Sequence, residues 1–148
     1  MPVNPELQGR VFPPTEPYLV GREKIREFSR AVFATNPINH DVAAARAAGY
    51  PDVVGPPTFA IVIQEATLAQ LLAEPDAGID FSRVVHGEQR FSHSRPIVAG
   101  DTLTATLTVA SVKTLGANAM VTAESSVVDD TGAHVVTATS ILVVRGDE

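Results

Sequence analysis

No cysteine occurs among the 148 residues, which removes disulfides, thiolate metal sites and a cysteine nucleophile together. Charged residues are scarce at 19%, below the usual quarter for globular chains. Seventeen acids against eleven bases give a net charge of -6, and no basic cluster interrupts the chain, so no nucleic-acid partner is expected. There is no run of about 18 apolar residues, and the sequence therefore predicts no membrane insertion. The opening Met1-Pro2-Val3-Asn4-Pro5-Glu6 has neither a basic region nor an apolar stretch, so secretion is unsupported and a cytoplasmic protein is expected. The four histidines sit on separate elements without ligand spacing, which predicts no metal site. Ser29, Ser82, Ser92 and Ser94 lack the G-x-S-x-G context of a serine nucleophile.

Apolar residues make up 45%, enough for a core, and the length suits one domain spanning residues 1–148. Proline divides the sequence. Nine of its eleven copies lie in the first 57 residues, which predicts short helices and irregular loops there and more regular structure afterwards. Ile25, Phe28 and Val32 recur at spacings of three and four, predicting an amphipathic helix from Arg22 to Phe33. A second short helix is expected from His40 to Ala48, capped by Asn39 and stopped by Gly49. After Gly55-Pro56-Pro57, the stretch Thr58 to Ala73 reads as a longer helix, apolar all round from Phe59 to Ile63 and hence enclosed.

From Arg83 onward the period becomes two. Leu103, Ala105 and Leu107 alternate with threonines, and Val121, Ala123, Ser125 and Val127 alternate with Thr122, Glu124 and Ser126. Val135 to Val144 is apolar on both faces and reads as a central strand. Four strands with short turns predict an antiparallel meander. One long apolar helix and one such sheet pack economically when the sheet curls around the helix, the α+β hotdog arrangement. An unpaired sheet edge further predicts a dimer.

Four motifs carry a family resemblance: the run from Gly21 to Phe28, Gly55-Pro56-Pro57-Thr58-Phe59, His86-Gly87-Glu88-Gln89, and Arg95-Pro96-Ile97-Val98-Ala99-Gly100-Asp101. In combination and order they resemble the MaoC-like dehydratase N-terminal family. More narrowly, the chain is similar to small actinobacterial members related to the acyl-chain-binding subunit of two-component (3R)-hydroxyacyl thioester dehydratases. The resemblance covers roughly Gly9 to Arg145. It implies a hotdog fold, an acyl thioester of acyl carrier protein (ACP) or coenzyme A (CoA) as substrate, and no cofactor. Catalytic relatives carry G-D-x-N-P-[LIV]-H, whose His/Asp pair serves as acid and base in eliminating water.

On this sequence that motif falls on Phe33 to Asn39. Asn36, Pro37 and Ile38 match, while Phe33, Ala34 and Asn39 stand at the glycine, aspartate and histidine positions. A methyl group transfers no proton and an amide does not titrate usefully. His40, one residue late, is the candidate catalytic histidine, and its bland reading is a polar first-turn residue. Asn36, Gly55, Thr58, Phe59 and His86 are the candidate substrate-binding residues. Thr58 and Phe59 would present backbone N–H groups to the thioester carbonyl, because Pro56 and Pro57 have none. Strict alternation from His86 puts Glu88 and Arg90 on its face and His93 on the other.

The leading expectation is therefore a dehydratase or enoyl hydratase subunit in fatty-acid or related lipid metabolism. It would supply acyl-chain binding and a dimer surface while a catalytic hotdog chain supplies the His/Asp pair. Ala60, Ala66 and Ala69 would leave room for a lipid chain, unless they simply allow close helix–sheet packing. The alternatives are a self-sufficient homodimeric dehydratase using His40, a hotdog thioesterase using Glu65, and a non-catalytic acyl-binding scaffold.

Overall fold

The computed structural model describes residues 2–147. A short strand β1 (Tyr18–Leu19) leads into helices α1 (Arg22–Ala31), α2 (Val42–Ala47) and α3 (Ala60–Ala73). Four long strands follow: β2 (Val84–His93), β3 (Thr102–Leu115), β4 (Asn118–Val128) and β5 (His134–Val144). All pairings are antiparallel, in the order β1-β3-β4-β5-β2. The expected meander is thus correct only for β3 to β5. β2 lies at the far edge against β5, because the chain crosses over between His93 and Thr102.

Helix boundaries follow local chemistry. α1 stops at Ala31, two residues before the expected Phe33, because Phe33 adopts a left-handed φ of 59°. The second helix begins at Val42 instead of His40, capped by the Asp41 carboxylate on the Ala43 N–H at 2.9 Å. Asn39, the expected cap, belongs to a preceding 3₁₀ turn (Pro37–Asn39). α3 starts at Ala60, two residues after Thr58, since the Phe59 N–H is drawn back to the Pro56 carbonyl at 2.8 Å.

One sheet edge is covered and the other is not. Along β3, the segment after Leu7 contributes Gly9 N–H to the Val109 carbonyl (2.8 Å) and Phe12 N–H to the Leu107 carbonyl (2.9 Å). The outer edge of β2 has no such cover among the described residues. α3 is likewise enclosed on one side only. Ile63, Gln64, Thr67 and Leu71 are buried against the sheet, whereas Glu65, Ala66 and Ala69 are exposed.

The core has two apolar halves. The front half gathers Ile25, Val53, Phe59, Ile63, Ile97, Leu103, Ala105, Val127 and Val136. The rear half gathers Leu7, Phe12, Leu71, Leu107, Val109, Val121, Ala123 and Leu142. On β4 the order along the inward face is Val127, Ser125, Ala123, and on β5 it is Ala138, Ser140, Leu142. Ser125, Ser140, Gln64 and Thr67, all fully buried, form a polar layer between the halves. Their groups are paired, as burial requires: Thr67 Oγ1 meets Ser125 Oγ at 2.7 Å, and Gln64 Nε2 donates to the Ala138 carbonyl at 3.1 Å.

Candidate functional site

Three segments meet at the front end of α3. The turn after α1 contributes Ala34 to Asn39, the lead-in to α3 contributes Val54 to Pro57, and the end of β2 contributes His93 to Pro96. Together they line a cleft of about 540 Å³. The first segment is shaped by the way α1 ends. Phe33 N–H donates to the Arg30 carbonyl at 3.2 Å and Ala34 N–H to the Ser29 carbonyl at 2.8 Å, the paired bonds of a Schellman cap. Such a cap places its C′ residue in the left-handed region, where glycine is at ease and a phenylalanine is not. Phe33 is nonetheless there, with 88% of its surface exposed.

The Asn36 side chain then caps the 3₁₀ turn by accepting the Ile38 N–H at 3.2 Å. Asn39 is buried and donates its amide to the Val54 carbonyl at 2.6 Å, while Val54 N–H returns to the Ile38 carbonyl at 2.9 Å. Gly55 lies close against Phe59: a Cβ there would stand 3.0 Å from Phe59 Cβ and would crowd that side chain. Its N–H donates to the Ile97 carbonyl at 2.8 Å, which ties the lead-in to the loop after β2.

Only two side chains lining the cleft are ionisable, His93 and Arg95. Arg95 is held by Asp101 at 2.8 and 3.0 Å and by Asp129 at 3.2 Å, contacts that raise its pKa and keep it charged. Asp129 is pulled down to about 2, first by the Thr131 hydroxyl and further by backbone N–H groups and Arg95. Partial burial lowers the pKa of His93, whose ring lies 6.4 Å from that of Phe91.

Of the candidates from the sequence, Asn36 and Gly55 line this cleft, and His40, Thr58, Phe59 and His86 do not. His40 Nε2 points back to the Ala34 carbonyl at 2.7 Å, and its own carbonyl accepts Arg26 Nε at 2.9 Å. Phe59 is fully buried and meets Phe28 edge to face at 5.3 Å. Thr58 is exposed, and its carbonyl accepts the Ile61 N–H at 3.1 Å. His86 bonds Gln89 at 2.9 Å on the edge strand.

The face expected for His86 needs correction. A bulge at Gly87 sets His86 opposite Leu142 and Glu88 opposite Ile141, which shifts the alternation by one residue. His86 therefore shares the inward face with Gln89, Phe91 and His93, and Glu88 and Arg90 point outward. His93, which a strict count puts on the opposite face from His86, is the histidine in the cleft. The glycine inside a strand pattern was the available signal for a bulge.

Residues 6–138 match the family described as FAS1-like, dehydratase domain region. The chain belongs to that family. Among curated relatives, a UPF0336 protein of Leifsonia xyli subsp. xyli is 73% identical over 148 residues, covering 100% of this chain and 99% of the relative. A UPF0336 protein of Streptomyces avermitilis is 49% identical with the same coverage. Among solved structures, a chain of the C-terminally truncated HadBC (3R-hydroxyacyl-ACP dehydratase) complex from Mycobacterium tuberculosis superposes with a TM-score of 0.83. It is 30% identical, with 93% of this chain and 96% of that chain covered. A MaoC-like dehydratase gives a TM-score of 0.79 at 30% identity, covering 94% of this chain and 42% of that one. The α+β hotdog reading holds for this member of the dehydratase family. Its Ala34 and Asn39 both line the cleft, the former a methyl group and the latter an amide locked onto backbone.

Proposed function

We propose that this chain is the acyl-binding hotdog subunit of a (3R)-hydroxyacyl thioester dehydratase, acting on an acyl thioester of ACP or CoA, with a partner hotdog chain supplying the catalytic pair. Dehydration removes the α-proton and expels the β-hydroxyl as water, giving the trans-2-enoyl thioester. Hydration is the reverse. Both directions need one group that accepts a proton and one that donates it within hydrogen-bond reach of the substrate. The observation that carries the reading is Asn39: buried, unable to titrate, and committed to the Val54 carbonyl. With Ala34 beside it, the cleft has a shaped, largely apolar wall and no acid–base pair at that point. The Arg95 charge is balanced by Asp101 and Asp129, and no ionisable side chain other than Arg95 joins His93 in lining the cleft.

The uncovered edge of β2 supports the pairing half of the proposal. Ten residues of strand with an unpaired edge offer a second hotdog chain a row of backbone donors and acceptors. Glu65, the residue a thioesterase reading needs, is exposed and does not line the cleft.

The test is hydration of crotonyl-CoA by the purified chain, alone and mixed with a hotdog homologue that has an intact G-D-x-N-P-x-H motif. Acid–base groups contribute about 10² to 10⁴-fold each, so the chain alone should stay near background and activity should appear in the mixture. Rapid hydration by the chain alone, abolished by His40→Ala or His93→Ala, would replace this reading with a self-sufficient enzyme. Tight acyl thioester binding without activity in any mixture would leave a binding protein.

A further inference from the structure

The polar layer that divides the core continues to the open edge of the sheet. Gln64 Oε1, on the fully buried side chain in the middle of α3, accepts from Gln89 Nε2 on β2 at 2.8 Å. Gln89 Oε1 accepts in turn from the Ser140 hydroxyl and from His86 Nε2. A crossbar of side-chain amides thus spans from helix to edge strand. Burying the Gln64 amide and half-burying that of Gln89 is tolerable only when their hydrogen bonds are made, and a helix packed on a sheet does not need them. The layers on both sides of this one are apolar. The expense of a polar layer in that position calls for a role that methyl groups would not fill.

Its position relative to the cleft indicates the role. His93 lines the cleft, and Gln89 lies four residues back on the same face of β2, about 13 Å away along the strand. Pro57 lines the cleft just ahead of α3, and Gln64 is the fifth residue of that helix, about 6 Å along it from Ala60. Phe91 stands between His93 and Gln89 on that face and packs on the front half of the core. An alkyl chain passing inward from the cleft along α3 and β2 meets apolar surface first and the crossbar next. To go further it must part Gln64 from Gln89 and leave amide groups against methylenes, unsatisfied in a water-poor interior.

We infer that the Gln64–Gln89 crossbar is the floor of the acyl site, admitting short and medium acyl groups and stopping long ones. This rests on the acyl-binding reading above and adds a depth to it. Methylenes short of the crossbar bind with a gain of about fourfold each, and methylenes beyond it gain nothing.

The experiment is calorimetric titration of the purified chain with crotonyl-, octanoyl- and palmitoyl-CoA, each below its micelle concentration. Affinity should rise from crotonyl to octanoyl and then level off or fall at palmitoyl. In Gln89→Ala, and in Gln64→Ala combined with it, the rise should extend to palmitoyl, so that the ratio of palmitoyl to octanoyl affinity exceeds that of the wild type. The single variant sits on the edge strand and keeps the test available if the double variant does not fold. A wild-type affinity that keeps climbing through palmitoyl would overturn the floor and leave acyl binding standing. So would folded variants that treat palmitoyl as the wild type does. Failure of all three thioesters to bind would overturn the acyl-binding reading, and the floor with it.

Discussion

Leu103 and Ala105 face the front half of the core and Leu107 and Val109 the rear half, yet one strand carries all four with unbroken alternation. The two halves differ in what closes them. At the rear, the segment around Leu7 and Phe12 pairs along β3 and seals the sheet with apolar side chains. At the front, closure falls to three irregular segments rich in proline, joined by backbone bonds among Ile38, Val54, Gly55 and Ile97. Irregular backbone cannot pack as densely as a strand pair, and the cleft lies where these segments meet. The same sheet thus serves as a sealed core at one end and the wall of a site at the other.

Four substitutions test that contrast, beyond the activity and binding experiments above. Phe59→Ala and Leu71→Ala each delete a fully buried side chain, one per half, and should cost about 3–5 and 2–5 kcal/mol respectively in urea unfolding. Only the first should also weaken acyl thioester binding, since Phe59 packs against Gly55 in the cleft wall. Equal effects on binding would erase the distinction between halves.

The next effect is smaller and of opposite sign. Phe33 occupies a left-handed conformation with its ring in solvent, so Phe33→Gly should raise stability by about 1 kcal/mol through relief of Cβ strain. An unchanged or lower unfolding midpoint would mean that the exposed ring is held by contacts within the chain. The smallest effect concerns pH. The folded Asp129 carboxyl is lowered from 3.8 to about 2, so its contribution is full above about pH 4 and is lost as pH falls through 2. Asp129→Asn should flatten the stability curve in that window alone, as followed by acid titration of the thermal midpoint.

Much of this was legible in advance, for reasons that also explain the misses. Leu103, Ala105, Leu107, Val121, Ala123 and Val127 alternate cleanly because one face of their strands is buried, and periodicity reads burial directly. The crossover of β2 to β5 was not legible, because pairing partners leave no trace in either strand's own period. Helix ends were displaced by backbone events at Phe33 and Pro56 that propensity does not register. Around the cleft, motif spacing brings Ala34, Asn36 and Asn39 together, but His40, Thr58, Phe59 and His86 lie elsewhere, and one bulged glycine hides the inward turn of His93. The crossbar was hidden for a different reason. Gln64, Gln89 and Ser140 come from three distant stretches, and an isolated glutamine in an apolar helix carries no signal of its partner.

The order of the strands also sets a schedule. β2 is the first long strand to be synthesised, and its partner β5 is the last, with His93 and Val144 separated by about 50 residues. At translation rates of about 5–20 residues per second, β2 and the apolar α3 wait several seconds before the sheet can accept them. During that interval the nascent chain has an apolar helix with nothing to lie on. Chaperone capture should therefore peak on chains arrested between His93 and His134 and vanish once β5 has emerged.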